Sequence, residues 1–312
     1  EMGEESKSTV RELIAKYDID CGYKSGVMHT ELKPKHLHHT FDYVEKLHRE
    51  YGYDQIEALD NGAVRAALGT EAYCGGSMDW GAGHLHPLNF ALGLARACVA
   101  AGVRIFEETR VTEISRGDPA KVASNDGSVT AKFVAIGANG YLGNLEPQVA
   151  ARVMPINNFI VATEPLGEDQ ARALIRDDVA VADSKFVVNY FRLSEDNRML
   201  FGGGESYGFK FPKDLIAKAR TPMLEIYPQL RDARIDYAWG GTLGITMNRM
   251  PDFRRITPNT LSASGYSGHG VAMATLAGKL LAETISGTAE RFDIVANVPT
   301  QRFPGGVVMR LP

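Results

Sequence analysis

Gly265-Tyr266-Ser267-Gly268-His269-Gly270 lies between an apolar run, Leu261–Ser264, and a small-residue segment from Val271 to Ser286 that Gly287 stops. The pattern predicts a strand, a glycine turn and a helix. Few architectures accept such a unit, because the helix must pack closely on the sheet it leaves, and Ala272, Ala274, Ala277 and Gly278 provide the small face for that. A helix N-terminus carries unpaired N–H groups and partial positive charge, so it favours an anion or a polar acceptor. Glycines there let a ligand approach the backbone. Two readings stay open on these residues alone: a cofactor-facing turn, or an ordinary tight strand-to-helix connection. Known phosphate motifs do not decide it. Gly278-Lys279 is followed by Leu280 and fails as a P-loop. The dinucleotide pattern GxGxxG fails at each GxG, where His86, Tyr207 and Met273 stand in place of the third glycine.

The rest of the chain alternates two grammars. Helices are predicted over 4–17, from Pro34 to Tyr51, from Leu88 to Ala101 and from Lys213 to Tyr227. Gly75-Gly76 and Gly81-Ala82-Gly83 read as loop. Val103–Phe106 and Thr109–Ser115 read as short strands, Asn125-Asp126-Gly127 as a turn, and Phe133–Ile136 as a buried parallel strand. Strands then dominate: Phe159–Thr163, Phe186–Leu193, Met199–Gly202 and Ile235–Trp239. Parallel-type units thus flank a mostly antiparallel middle, so the chain is expected to cross between two domains more than once. Its 312 residues fit about two domains.

Composition removes several classes of function. Apolar residues are 44% and charged residues 23%, an ordinary globular balance. A net charge of -4 without a Lys/Arg run argues against nucleic acid. No apolar stretch reaches the roughly 18 residues of a membrane helix. Cys21, Cys74 and Cys98 lie far apart with no CxxC, which fits a reducing cytoplasm rather than a zinc or redox pair. His36 and His39 have a helical ligand spacing, but no carboxylate or cysteine pattern completes a metal site, so a solvated helix face is expected. Gly202-Gly203-Gly204 follows a strand without opening a helix, which predicts a bulge or close backbone approach.

The final unit, Gly265 to Val271, resembles the flavin-facing turn of the D-amino-acid oxidase, glycine oxidase and sarcosine oxidase superfamily. Gly83-His-Leu-His86-Pro87, Ala101-Gly102-Val-Arg-Ile-Phe106, Thr109-Arg-Val111-Thr-Glu-Ile114 and Val134-Ala-Ile-Gly137-Ala138-Asn139-Gly-Tyr141 resemble its other segments, in order. Within it, Phe159–Pro165, Tyr190–Leu193, Leu200–Gly203, Tyr237–Gly241, Thr246–Pro251 and Arg302–Gly306 are similar to the gamma-glutamylputrescine oxidoreductase branch. The resemblance implies a mixed α/β fold: an FAD/NAD(P)-binding-like domain plus an antiparallel-sheet substrate domain. The expected partition is 81–150 and 258–312 for the FAD side, 18–80 and 151–257 for the substrate side, and 1–17 as a helix of the FAD side. The family's opening βαβ unit with GxGxxG has no counterpart here, and relatives run further at the other end. A fragment that does not hold FAD tightly by itself is therefore expected.

The resemblance also implies the chemistry. FAD is expected, non-covalent because no cysteine stands before the last strand. Val111, Gly137, Ala138, Asn139, Gly265, Ser267, Gly268, Gly270 and Val271 are the cofactor-binding candidates; His269 and Tyr266 are the catalytic ones. His269 is either flavin-proximal or packs and caps the turn. Glycine-oxidase-like relatives clamp the substrate carboxylate with arginines whose positions fall at about Leu243 and at Gly268. Without that bidentate clamp the expected substrate is an amine with no adjacent carboxylate, such as a gamma-glutamylated polyamine, which points to polyamine breakdown. Tyr190, Glu205 and Trp239 are the substrate candidates, by charge and cation–π contact. Core packing is the other reading for Tyr190 and Trp239. An amino-acid or N-methylamine oxidase, and a flavin-free ligand-binding remnant, remain the alternatives.

Overall fold

The computed structural model describes residues 1–207 and 211–304. Gly305 and Gly306 of the family-like ending, and the rest of 305–312, lie outside the described residues. The helices are α1 (Met2–Tyr17), α2 (Pro34–Tyr51), α3 (Asn61–Leu68), α4 (Pro87–Ala100), α5 (Pro147–Ala150), α6 (Glu168–Leu174), α7 (Leu215–Ile226), α8 (Gly270–Ile285) and α9 (Glu290–Ala296). The strands are β1 (Lys24–Glu31), β2 (Ile56–Leu59), β3 (Gly75–His84), β4 (Val111–Ser115), β5 (Ala120–Ser124), β6 (Ser128–Ala131), β7 (Val134–Ile136), β8 (Met154–Thr163), β9 (Ala180–Asp183), β10 (Tyr190–Leu193), β11 (Met199–Tyr207), β12 (Ile235–Ile245), β13 (Asp252–Thr257) and β14 (Thr260–Ser264).

An eight-stranded sheet, in the order β12-β8-β11-β10-β9-β1-β3-β2, carries the antiparallel middle. Its one parallel pair among the described residues is β1 with β9. A second sheet, β13-β14-β7, holds the parallel pair β14–β7 that the Phe133–Ile136 run predicts. Burial there is one-sided: Ile136 is covered, while Phe133 and Ala135 are exposed. A third, three-stranded sheet, β4-β5-β6, turns at Asn125-Asp126-Gly127 as expected.

Side-chain alternation gives the large sheet two unlike faces. Met28, Val161, Val181, Phe191 and Phe201 point into one core with Val64 and Leu68 of α3, Leu174 of α6 and Met223 of α7. Phe191 stacks on Phe201 at 5.5 Å between ring centres and meets Tyr227 edge-on at 5.4 Å. On the other side of the molecule, α8 packs against β14 through Leu276, Ala277 and Leu280, joined by Phe253 and Phe292. Helix α1 lies along α8, and Glu5 pairs with both Lys279 and Arg291.

Three expectations change. Residues 75–84 form β3 rather than a glycine loop. Their glycines provide clearance: a Cβ on Gly76 would lie 2.1 Å from the His29 carbonyl oxygen, and one on Gly83 would meet the Tyr23 hydroxyl at 2.5 Å. Val103–Phe106 is no strand, and Val103, Ile105 and Phe106 are exposed. Residues 186–189 are loop, because the buried Asp183 carboxylate accepts the Lys185 and Asn189 main-chain N–H groups and the Asn189 side chain. Position 81 falls inside β3, and β13 (Asp252–Thr257) pairs with β14 on the α8 side.

Phe201→Ala removes a fully buried ring from the main core and is expected to cost about 3–5 kcal/mol. Urea denaturation reads this as a lower midpoint at unchanged slope. Burial also raises the Tyr73, Tyr227 and Tyr266 hydroxyls above their ordinary value of 10.0. The fold holds these protons longer than the unfolded chain does. Their contribution is therefore complete below about pH 10 and is lost as pH rises beyond it. Denaturation midpoints at stepped alkaline pH should stay level up to that point and then fall.

Candidate active site

The face of the large sheet opposite its core carries the candidate site. Register places Tyr190 beside Gly202, Gly202 beside Ile160, and Ile160 beside Trp239, in one row across β10, β11, β8 and β12. The next row on the same face holds Arg192 and Leu200. These residues face a cavity of about 630 Å3 whose opposite wall includes Gly268, His269 and Val271 at the start of α8. The spacing of two residues that puts Phe191 and Phe201 in the core puts Tyr190 and Arg192 on the cavity wall.

Tyr190 is held at its hydroxyl and beneath its ring. Its hydroxyl donates to Asn158 Oδ1 at 2.9 Å, and Asn158 Nδ2 donates to the Gly204 carbonyl at 3.2 Å. A Cβ on Gly202 would lie 2.1 Å from the Tyr190 ring, so the glycine lets the ring lie flat on the sheet. Burial, and then the charge of Glu205, push the hydroxyl up to about 12, which keeps it protonated as a donor. The strand slips register between Gly202 and Glu205, the bulge expected of the triple glycine. Trp239 is 43% exposed, so it forms a wall of the cavity rather than part of the core.

The turn before α8 is fixed to neighbouring strands. Gly265, at φ 72, donates its N–H to Asn139 Oδ1 at 2.9 Å. Ser267 donates its N–H to the Gly244 carbonyl at 3.0 Å, and its Oγ accepts the Thr246 N–H at 3.2 Å. Asn139 and Ser267 therefore position the turn. Gly268, at φ 100, has open space where a Cβ would be, and His269 stands exposed beside it. His269 also borders an outer cavity of about 1000 Å3 that includes Tyr43, Tyr53 and Asp79.

A separate cavity of about 640 Å3 brings Val111 together with Ala138, Tyr141 and Leu142. Both chain segments expected to meet the cofactor, β4 and the end of β7, thus border one space. The residues present fit an extended cofactor: an open cleft at Val111 and Ala138, and glycine-lined backbone at the start of α8. Gly137 is exposed next to Ala138, and Gly270 opens α8.

The expected residues divide clearly. Tyr190, Trp239, Gly268, His269 and Val271 line one cavity. Tyr266 does not join them. Its ring packs in the α8 core and its hydroxyl donates to the Ala263 carbonyl at 3.0 Å, so the structure makes it a packing residue. Ser267 turns toward β12 rather than toward the cavity. Glu205 is half-buried on β11 and acts on Tyr190 through its charge. Two wall residues were not anticipated, His84 and Arg192. The His84 Nε2 contacts the Asp178 carbonyl at 2.9 Å, and burial lowers its pKa, which favours the neutral ring. Arg192 had a signal in the sequence, since it follows Tyr190 by one strand period.

The family model "DAO: FAD dependent oxidoreductase" matches residues 1–284. Gamma-glutamylputrescine oxidoreductase of Escherichia coli (strain K12) is 42% identical over 309 residues, covering 99% of this chain and 72% of that protein. A probable oxidoreductase, OrdL, of Haemophilus influenzae is 36% identical over 314 residues, covering 99% and 72%. The fold is that of glycine oxidase from Geobacillus kaustophilus, with a TM-score of 0.77 at 19% identity, covering 93% of this chain and 78% of that one. L-proline dehydrogenase from P. horikoshii superposes equally well, at TM-score 0.77 and 19% identity, covering 91% and 78%. The chain belongs to the DAO family of FAD-dependent oxidoreductases.

Proposed function

We propose that this oxidoreductase acts on the CH–NH bond of an amine that has no carboxylate beside the reacting carbon, a gamma-glutamylated polyamine being the substrate type. The observation that carries the reading is the composition of the 630 Å3 cavity, which joins the start of α8 to an aromatic and apolar sheet face. The carboxylate-clamp positions inferred from glycine-oxidase-like relatives hold Leu243 and Gly268, neither of which can bind a carboxylate by its side chain. Similarity to gamma-glutamylputrescine oxidoreductase supports the same choice.

FAD, when bound, accepts the hydride from the carbon beside nitrogen. The chain's own residues do the rest. The N–H groups that open α8, from Gly270, favour negative charge at the turn. Val111 and Ala138 would hold part of the cofactor along the 640 Å3 cleft, and Gly268, His269 and Val271 would border it at the start of α8. Tyr190 and Trp239 present ring faces to a cationic chain. Glu205 adds negative charge nearby, and the neutral amine form is the one oxidised. The binding partner is thus a small-molecule amine. Among the described residues no helix is long and apolar enough to cross a membrane.

Flavin-loaded protein should oxidise gamma-glutamylputrescine with a kcat/KM well above those for glycine, sarcosine and D-amino acids. Equal or better turnover of the free amino acids would overturn the proposal. Gly202→Ala is expected to drive the Tyr190 ring from its place and lower kcat/KM for the amine about 10- to 100-fold, at little change in thermal midpoint. Steady-state kinetics beside a melting curve checks both halves.

A further inference from the structure

Arg192 is a cation in an unusual position. It stands on the wall of the 630 Å3 cavity, on the same strand face as Tyr190. Its Nη1 donates to the Leu193 carbonyl and its Nη2 to the Leu85 carbonyl, each at 3.1 Å. Two main-chain anchors fix the guanidinium before any ligand arrives. Arginine has five N–H donors, so three remain after these two bonds, and Arg192 lines the cavity.

Its charge is desolvated by burial. Burial lowers the Arg192 pKa, and the nearest opposing influence is Asp178. That carboxylate is already paired with Lys24 and Arg172. Among the described residues no carboxylate is within ion-pair distance of Arg192. The cavity wall around it is largely apolar or aromatic, with Leu85, Leu200 and Tyr190, and His84 is also nearby. Burying a cation this way is costly until an anion joins it, and a carboxylate fits the fork of a guanidinium.

We infer that Arg192 is the specificity-determining residue that binds the carboxylate of the substrate's glutamyl part. The inference rests on the amine-oxidation reading and adds to it where the second end of the substrate is held. Arg192 lies on β10, three strands from Leu243 on β12, which is roughly 14 Å across the sheet. Its carboxylate site is therefore separate from the clamp position at Leu243, while Gly268, the other clamp position, lines the same cavity without a side chain that could bind an anion. An amine with its carboxylate far from the reacting carbon is accepted, and one with the two adjacent gains nothing from Arg192.

Arg192→Met and Arg192→Lys test this in the flavin-loaded protein. Arg192→Met should raise KM for gamma-glutamylputrescine by at least about 30-fold with kcat nearly unchanged. It should leave the KM of the matching carboxamide, whose carboxylate is neutralised, as it is in the wild type. Arg192→Lys should recover part of the loss. Equal losses on both substrates, or no loss on either, would overturn the assignment. A second readout needs no turnover: glutarate binding, followed by calorimetry, should be present in the wild type, weaker in Arg192→Lys and lost in Arg192→Met. Glutarate binding that is absent in the wild type or equal in all three proteins also overturns it. Wild-type protein that oxidises neither amine yet binds glutarate through Arg192 would end the amine reading while leaving the carboxylate site standing.

Discussion

The strict alternation of side chains in the eight-stranded sheet governs everything built on it. Strands β8, β10 and β11 place Val161, Phe191 and Phe201 on one face, where α3, α6 and α7 seal them from water. The same backbone leaves Ile160, Tyr190 and Gly202 on the other face. Burial of the first set fixes the register, because a slip of one residue would send every core ring into the cavity. The large hydrophobic stabilisation of the core thus also sets the aim of the site residues, without any of that stabilisation arising in the site itself. Tyr190 needs only small adjustments: a glycine beneath its ring and an asparagine at its hydroxyl.

The opposite wall is set by polar pins rather than by packing. Asn139, in the short turn that follows β7, accepts from Gly265, and Ser267 joins Gly244 and Thr246 at the end of β12. These bonds tie the turn before α8 to both sheets at once. The helix start is thereby held against the sheet face that carries Tyr190 and Trp239. Neither wall forms the cavity alone, which explains why residues separated by about eighty positions in the chain, such as Tyr190 and His269, border one space.

Much of this architecture was legible in the sequence, and the failures have physical causes. The turn and helix from Gly265 to Ile285, α2 from Pro34 to Tyr51, and the parallel pairing of β7 follow from local signals: caps, glycine stops and an apolar run. Strand β3 was illegible because its glycines resemble turn glycines, and only the neighbouring His29 carbonyl and Tyr23 ring reveal that they serve clearance. Tyr266 resembles a site residue by position in its motif, yet its hydroxyl finds a partner three residues back, at Ala263. The direction of a side chain within a tight turn depends on dihedral angles that composition does not encode. Tyr190 and Trp239 were ambiguous for a related reason, since an aromatic residue on a strand suits either face until the opposite face is known.

Arg192 shows the complementary case, in which sequence spacing carries information that composition hides. A charged residue between Phe191 and Leu193 would ordinarily be assigned to solvent, since arginine is seldom buried without a partner. Period two instead places it with Tyr190, and the large sheet holds that face against α8 rather than against water. Its two main-chain bonds then satisfy geometry but not charge, because carbonyl oxygens carry only partial charge. The fold therefore retains an electrostatic demand that protein groups nearby leave unmet, with Asp178 committed to Lys24 and Arg172. A ligand that supplies a carboxylate meets this demand at no cost in side-chain ordering, and that difference separates a carboxylate-bearing amine from a simple diamine of equal length.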